Sequence, residues 1–277
     1  AHEQMGRDLR RTHALPGLTQ ADWEHLRQED AVRQAVMLAE VGRRDAAADD
    51  LVWLVRTGDP KDYGALSRLS RALGLTGAQT FMAYNAPRGE GAHPSLRYPV
   101  TFRAPVGGWR VDPALAFAHA LQESNFRETV VSPAGAIGLM QIMPITQREY
   151  AASINMSSNA DLKDPAVNLA FGQRTLESLN SSNFTQGKLP KIMAAYNAGL
   201  TPVGRWNTEV RDQDDPLLYM ESIPYWETRG YVAIVTRNYW MYERQAAAPS
   251  PSRQALAMNR WPAFPEAKPS NPRFTSR

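Results

Sequence analysis

The segment that most constrains this chain is the run Ala114-Leu-Ala-Phe-Ala-His-Ala-Leu121, which ends against Gln122-Glu123-Ser124. Its residues are almost all apolar and mostly good helix formers. They predict a helix buried on most of its faces rather than along one stripe. Asp112-Pro113 just ahead supplies an N-cap and a proline at the first helical position. A glutamate at the far end of such a helix stays charged only at a cost, because desolvation raises its pKa. A raised glutamate pKa suits a general acid working near neutral pH. Glu123 is therefore the first candidate catalytic residue, although a lone glutamate at this place is more often a surface group where a helix emerges.

The residues after Glu123 shift that balance. Ser132, Gly135, Gly138, Gln141 and Met143 fall in one short segment with glycines three apart. Glycine lets a backbone turn tightly or lets another group come close. Ser and Gln bond amides and hydroxyls, and Met adds soft apolar surface. Further on stand Ala195-Tyr-Asn-Ala-Gly199 and Glu221-Ser-Ile-Pro-Tyr-Trp-Glu-Thr-Arg-Gly-Tyr-Val232. Glu123-Ser124, Gly138-Leu-Met-Gln141 and the Ala-Tyr-Asn-Ala-Gly segment resemble the successive motifs of the lysozyme-like lytic transglycosylases, and the Glu221 segment resembles the signature of their soluble murein branch. The likeness covers roughly residues 97–245, in order and with sensible gaps.

The resemblance implies a lysozyme-like helical catalytic domain and one reaction. Cleavage of a β-1,4-glycosidic bond ordinarily takes two carboxylates, yet only Glu123 is a strong candidate within the cluster, with Glu221 and then Glu227 behind it. One carboxylate suffices if the substrate supplies the nucleophile. The family's chemistry implies that Glu123 protonates the leaving oxygen between N-acetylmuramic acid and N-acetylglucosamine. It then takes the C6 hydroxyl proton as that oxygen attacks C1, leaving a 1,6-anhydromuramic end. Carried over residue by residue, Ser132 positions the acetamido region, Gln141 and Met143 line the same subsites, and Tyr196 stands beside the catalytic glutamate. Glu221 reaches into the groove, while Asn197, Tyr225 and Tyr231 are further substrate-side candidates. Core packing with a satisfied hydroxyl is the competing expectation for each tyrosine. Leu139 and Met140 are expected in the core.

No cofactor and no metal are implied. His119 lies four residues before Glu123 on the same helix face, but no second histidine stands at ligand spacing, so it reads as a packed or surface residue. Asn155-Met-Ser and Asn183-Phe-Thr match the glycosylation sequon and read as chance. No phosphate loop or Ser-His-Asp order stands out. Two rival functions remain: a goose-type lysozyme, in which water attacks and a second carboxylate activates it, and a wall-binding scaffold without catalysis.

Composition narrows the setting. The chain has 277 residues, 43% of them hydrophobic, which suffices for one or two cored domains. No apolar run approaches the roughly 20 residues a membrane helix needs. The absence of cysteine excludes disulfides and fits a cytoplasmic or a periplasmic life. The chain opens at Ala1 without Met or an apolar leader and reads as processed or truncated, so a periplasmic location is expected from the substrate alone. The formal net charge is +3, but residues 246–277 carry five Lys+Arg against one Glu, which leaves the rest about neutral. No basic stripe lies within a folded segment, so nucleic acid is not an expected partner. Peptidoglycan glycan strands are, with other cell-wall enzymes as further candidates.

Three segments are expected. Residues 1–96 read as a helical accessory or linker domain resembling a solenoid, with helices opening near Thr19 and over 28–41, 45–56, 62–73 and 77–84. Val32, Val36, Leu38 and Val41 offer an apolar stripe. Residues 97–245 hold the catalytic domain, with helices over 113–124, 145–152, 165–179, 188–198 and 228–244, and Gly199 at a left-handed C′ position. Residues 246–277, with six prolines, read as a solvated basic tail that Trp261 and Phe264 are able to dock on the body.

Overall fold

A computed structural model describes residues 16–100 and 103–265. The chain is mainly α-helical, and among the described residues β structure is limited to isolated bridges. It divides into two compact units, residues 1–99 and 100–277.

The first unit is a run of short helices: α1 (Gln20–Leu26), α2 (Asp30–Glu40), α3 (Arg44–Thr57), α4 (Tyr63–Ala72) and α5 (Thr76–Tyr84). α1 opens with a capping box, in which Thr19 Oγ1 accepts from the Asp22 amide and the Asp22 carboxylate accepts from the Thr19 amide. The same carboxylate takes a two-pronged hydrogen bond from Arg68 on α4, at 2.7 and 2.6 Å, which ties the two helices together. Arg68 and the two Thr19 bonds hold Asp22 well below the usual carboxylate range against the opposing effect of burial. Leu26, Val32, Leu51, Leu66, Leu69 and Met82 form the core. Of the expected α2 stripe, Val32 is buried, whereas Val41 is 72% exposed because the helix ends before it. Leu96 is sealed into the unit's core and Arg97 lies over the Tyr84 ring at 5.4 Å, so the break comes after Pro99.

The second unit holds α6 (Pro113–Ser124), α7 (Pro144–Tyr150), α8 (Pro165–Asn180), α9 (Leu189–Ala198), α10 (Leu200–Glu209), α11 (Pro216–Ser222), α12 (Trp226–Gln245) and α13 (Pro251–Ala257). α6 is its axle. Every residue from Pro113 to Leu121 is buried, and α12 and α8 pack against the helix. Asp112 caps it as the sequence predicts, accepting from the Ala114 amide at 2.9 Å, and also takes the Tyr239 hydroxyl from α12 at 3.0 Å. Asp164 and Asp215 cap α8 and α11 through the same Asp-Pro start.

Three helices were not legible in the sequence. α10 follows α9 directly, α11 precedes the Ile-Pro-Tyr segment, and α13 lies in the expected tail. α10 carries Pro202 and Gly204, which hide it from propensity. Gly204 is there for a close approach, since a Cβ would stand 2.9 Å from the Phe184 ring. Gly199 is not left-handed helical as expected. Its φ of +86° and ψ of 165° belong to a region open essentially to glycine only, and they let one residue end α9 and cap α10. Over its described part the expected tail holds a helix, α13, and then docks at the start of α9 through the segment that carries Trp261 and Phe264. The Leu189 amide donates to the Pro262 carbonyl at 2.8 Å, and the Phe264 amide donates to that of Gly187 at 3.0 Å.

Candidate active site

Glu123 occupies the last turn of α6, and the chain reverses at once behind it. Asn125 and Phe126 both take positive φ, 50° and 58°. That conformation is tolerable for Asn and strained for Phe. The buried Phe126 ring, 6.0 Å from Phe117, holds the strained turn in place. Ser124 then fastens the reversal by donating to the Leu139 carbonyl at 2.8 Å. The segment rich in Gly and Met is thereby drawn against the end of α6.

That segment is a small bridged loop, with Ile137 paired to both Val131 and Ile142. Asn168, fully buried on α8, is its anchor. Its amide group donates to the Ile137 and Leu162 carbonyls at 2.8 and 2.7 Å and accepts from the Met140 amide at 2.8 Å. Gly138, at φ +74°, has no room for a side chain. A Cβ would sit 2.4 Å from both the Asn168 side chain and the Leu162 carbonyl. Gly172 on α8 does the same for Met140, whose sulfur would lie 2.1 Å from an added Cβ. Leu139 and Met140 are core residues, as expected. Nothing in the sequence marked Asn168. A polar residue inside an otherwise apolar stretch of α8 was the only available signal.

On the loop itself, Ser132 is half-buried and its hydroxyl accepts from the Ala136 amide at 3.0 Å. Gln141 stands at φ 48° and donates to the Gly138 carbonyl at 2.9 Å, so it braces the loop. Met143 is half-buried at the N-cap of α7. These three share the loop. Tyr196 links the loop to α9, donating its hydroxyl to the Met140 carbonyl at 2.8 Å.

The hydroxyl that reaches Glu123 is that of Tyr231 on α12. It donates to Glu123 Oε1 at 2.6 Å, and His119 Nδ1 lies 2.7 Å from the Tyr231 oxygen. The His119 ring also packs 4.6 Å from that of Tyr196. His119 is fully buried, and burial holds its pKa down to about 3, so the ring is neutral. Burial pushes the Glu123 carboxyl up to about 7. The Tyr231 hydrogen bond opposes that rise, and the charge of Glu227 adds to it. Burial also raises both tyrosines, with the charge of Glu123 the next cause, so they remain protonated donors. The arrangement is a carboxyl poised near neutrality, gripped on one oxygen, in apolar surroundings.

The remaining candidates lie on α9, on α11 and at the start of α12. Asn197 accepts from Thr228 Oγ1 at 2.6 Å and lines an open cleft with Tyr225, Trp226 and Glu227. Tyr225 accepts from Arg205 at 3.2 Å and sets its ring edge-on to Trp206 at 5.0 Å. Trp226 is 81% exposed. Glu221 is exposed on α11. The second carboxylate whose charge Glu123 feels is Glu227, one helix later. In sequence Glu227 stands behind Glu221 and Tyr231 is only a secondary candidate, because the Tyr231–Glu123 contact spans 108 residues. Among the described residues no cluster of metal-ligating side chains occurs. No helix among them is long and apolar enough to cross a membrane.

Residues 101–218 match the family model of the Transglycosylase SLT domain. The soluble lytic murein transglycosylase of Escherichia coli K12 is 36% identical over 140 residues, which cover 50% of this chain and 21% of that protein. This chain thus spans about a fifth of the length of that relative. The crystal structure of the 70 kDa soluble lytic transglycosylase from Escherichia coli is similar with a TM-score of 0.74 at 23% identity, covering 95% of this chain and 42% of that one. The complex of the 70 kDa soluble lytic transglycosylase with bulgecin A matches with a TM-score of 0.74 at 25% identity, over the same shares of the two chains.

Proposed function

We propose that this chain, which carries a domain of the transglycosylase SLT type, is a peptidoglycan lytic transglycosylase acting in the bacterial envelope. The observation that carries the reading is one half-buried glutamate whose acidity is set near neutrality by burial and whose Oε1 is held by a buried tyrosine. A group at about 7 is able to donate a proton and to take one back at the same pH. Protonated Glu123 delivers its proton to the glycosidic oxygen as the bond from C1 of N-acetylmuramic acid breaks. The neighbouring acetamido oxygen shares the positive charge that develops at C1. The carboxylate left behind then removes the C6 hydroxyl proton as that oxygen bonds to C1. The 1,6-anhydro ring closes without water, and Glu123 ends protonated, ready for the next turnover.

Around it, Ser132, Gln141 and Met143 are assigned to the loop wall of the groove and Tyr196 to its seam. Asn197 and Tyr225 are assigned to the cleft that also holds Glu227, with Glu221 exposed on α11. In this reading the Ser132 hydroxyl and the Gln141 amide, already tied to backbone groups, hold the loop rigid and offer their remaining lone pairs and protons to the acetamido group. The carry-over from the K12 relative, which is a murein enzyme by name, favours glycan strands as substrate and a periplasmic location.

The experiment is mass spectrometry of products from purified peptidoglycan, with Glu123→Gln in parallel. The expected result is muropeptides ending in 1,6-anhydromuramic acid from the parent and none from the variant. Ordinary reducing ends would instead mean hydrolysis and would make Glu227 the first residue to test as an activator of water. A variant that cleaves at the parent rate would remove Glu123 from the mechanism.

A further inference from the structure

We propose that His119, fixed as its Nδ1–H tautomer, is a positioning residue. It sets the direction of the hydrogen-bond chain from His119 through Tyr231 to Glu123 and so reserves Oε2 of Glu123 for the proton that is transferred. The inference deepens the proposed function and rests on Glu123 being the acid and base.

A count of protons fixes the direction. The Tyr231 hydroxyl lies 2.6 Å from Glu123 Oε1 and 2.7 Å from His119 Nδ1, and it has one proton to give. An ionised carboxylate only accepts, so the proton goes to Glu123. The Tyr231 oxygen must then accept from His119, which places the ring proton on Nδ1. The buried neutral ring has a single proton, so Nε2 carries only a lone pair. Nε2 is enclosed and has no partner among the described residues. A bare acceptor there is less costly than a stranded N–H donor, which the opposite tautomer would leave. Geometry and the orphaned atom thus point the same way.

The direction outlasts a change in the charge of Glu123. With no partner at Nε2, no group can supply a proton there while another leaves Nδ1. Tyr231 therefore goes on donating to Oε1 when Glu123 is protonated, and the acid proton stands on Oε2. That oxygen accepts no hydrogen bond from the described residues and is not sealed from solvent. The other groups that bear on Glu123 do not compete for it. Tyr196 spends its proton on the Met140 carbonyl, and Glu227 contributes charge alone. Leaving and returning protons use one oxygen, and the carboxyl has no need to rotate between the two steps.

The direct test is two-bond proton–nitrogen NMR on histidine-labelled protein, with the His119 signals identified by their loss in His119→Asn. The expected pattern is a protonated Nδ1 and an unprotonated Nε2 on both sides of the Glu123 titration. A protonated Nε2, a charged ring or a switch of tautomer as Glu123 titrates would overturn the proposal. Kinetics supply the second readout. His119→Leu should lower kcat about fivefold with KM unchanged, the effect of one lost neutral hydrogen bond. His119→Asn, whose amide nitrogen falls near the place of Nδ1, should restore most of it. Equal kcat in the parent and the Leu variant would reduce His119 to packing. An Nδ1–H ring in a protein that cleaves no glycan would sink the proposed function and leave the hydrogen-bond assignment standing.

Discussion

Glu123 is costly to the fold in the charged form, and that cost is what makes it usable. Its carboxyl is held up at about 7 by burial, so in the folded state the protonated form is favoured. The effect on stability has a definite sign. Stability is fully present below the ordinary glutamate range and is lost as pH rises toward about 7, where the folded group finally ionises. Glu123→Gln should therefore raise the melting temperature at alkaline pH, by the equivalent of up to about 3 kcal/mol, and change it little at acid pH. Melting curves across pH check this, and equal shifts at both ends would mean the carboxyl is not perturbed. Under the proposed function Glu123 must start protonated, so kcat/KM should fall as pH rises through about 7. Tyr231→Phe removes the bond that favours the carboxylate. The alkaline limb should then move to higher pH while kcat drops about tenfold, as expected for a lost hydrogen bond to a charged group. A limb that stays in place would show that Tyr231 does not touch the ionising group. Glu123 was legible because its helix was: an apolar run with a carboxylate at its end is a local pattern, visible before any packing is known. Tyr231 was not legible as its partner. A tyrosine in a helix is as readily core as site, and only packing of α12 on α6 decides between them.

At the scale of elements, the site is a loop pinned to helices. The Asp-Pro starts of α6 and α8 were readable because cap and proline are local chemistry. So were the glycines of the loop, although not what each one is for. Gly138 makes room for Asn168, and Gly172 makes room for Met140. The pin itself could not be read, since Asn168 reaches its partners at separations of 28 and 31 residues as well as 6. Asn168→Ala strips three hydrogen bonds from buried backbone groups. It should destabilise the second unit by about 3 kcal/mol or more. Gly138→Ala should do at least as much damage, because the clash and the positive φ act together. The readout is chemical denaturation of each variant. An Asn168→Ala protein as stable as the parent would mean that the loop stands without its anchor. Gly204 offers the contrast. The nearest atoms to its added Cβ all belong to the Phe184 ring, which is 48% exposed and free to give way, so Gly204→Ala should cost far less.

At the scale of the molecule, the end of the described chain is a strap rather than a tail. Residues 246–277 have the composition of a solvated segment, with six prolines and a charge of +4, yet two aromatic residues in it, Trp261 and Phe264, are legible as docking points, and both are used. What docks it is one side chain and its surroundings. Trp261 donates from Nε1 to Asp214 at 2.6 Å and lies 5.4 Å from the Tyr219 ring. It receives the Lys188 and Lys191 ammonium groups over its face at 4.3 and 5.1 Å. Asp214 is held below the usual carboxylate range, first by this indole N–H and then by Lys188. Backbone bonds from Leu189 and Phe264 extend the grip on either side, at the foot of α9, the helix that presents Tyr196 and Asn197. Trp261→Ala removes an aromatic body and two cation–π contacts at once. It should lower stability by about 2–4 kcal/mol, the range for a partly buried large side chain with charged neighbours. Trp261→Phe keeps a ring under the lysines but loses the bond to Asp214, so it should fall between the two. Thermal denaturation of the three proteins orders them. If the Ala variant melts with the parent, the strap merely rests on the surface and the second unit is held together without it.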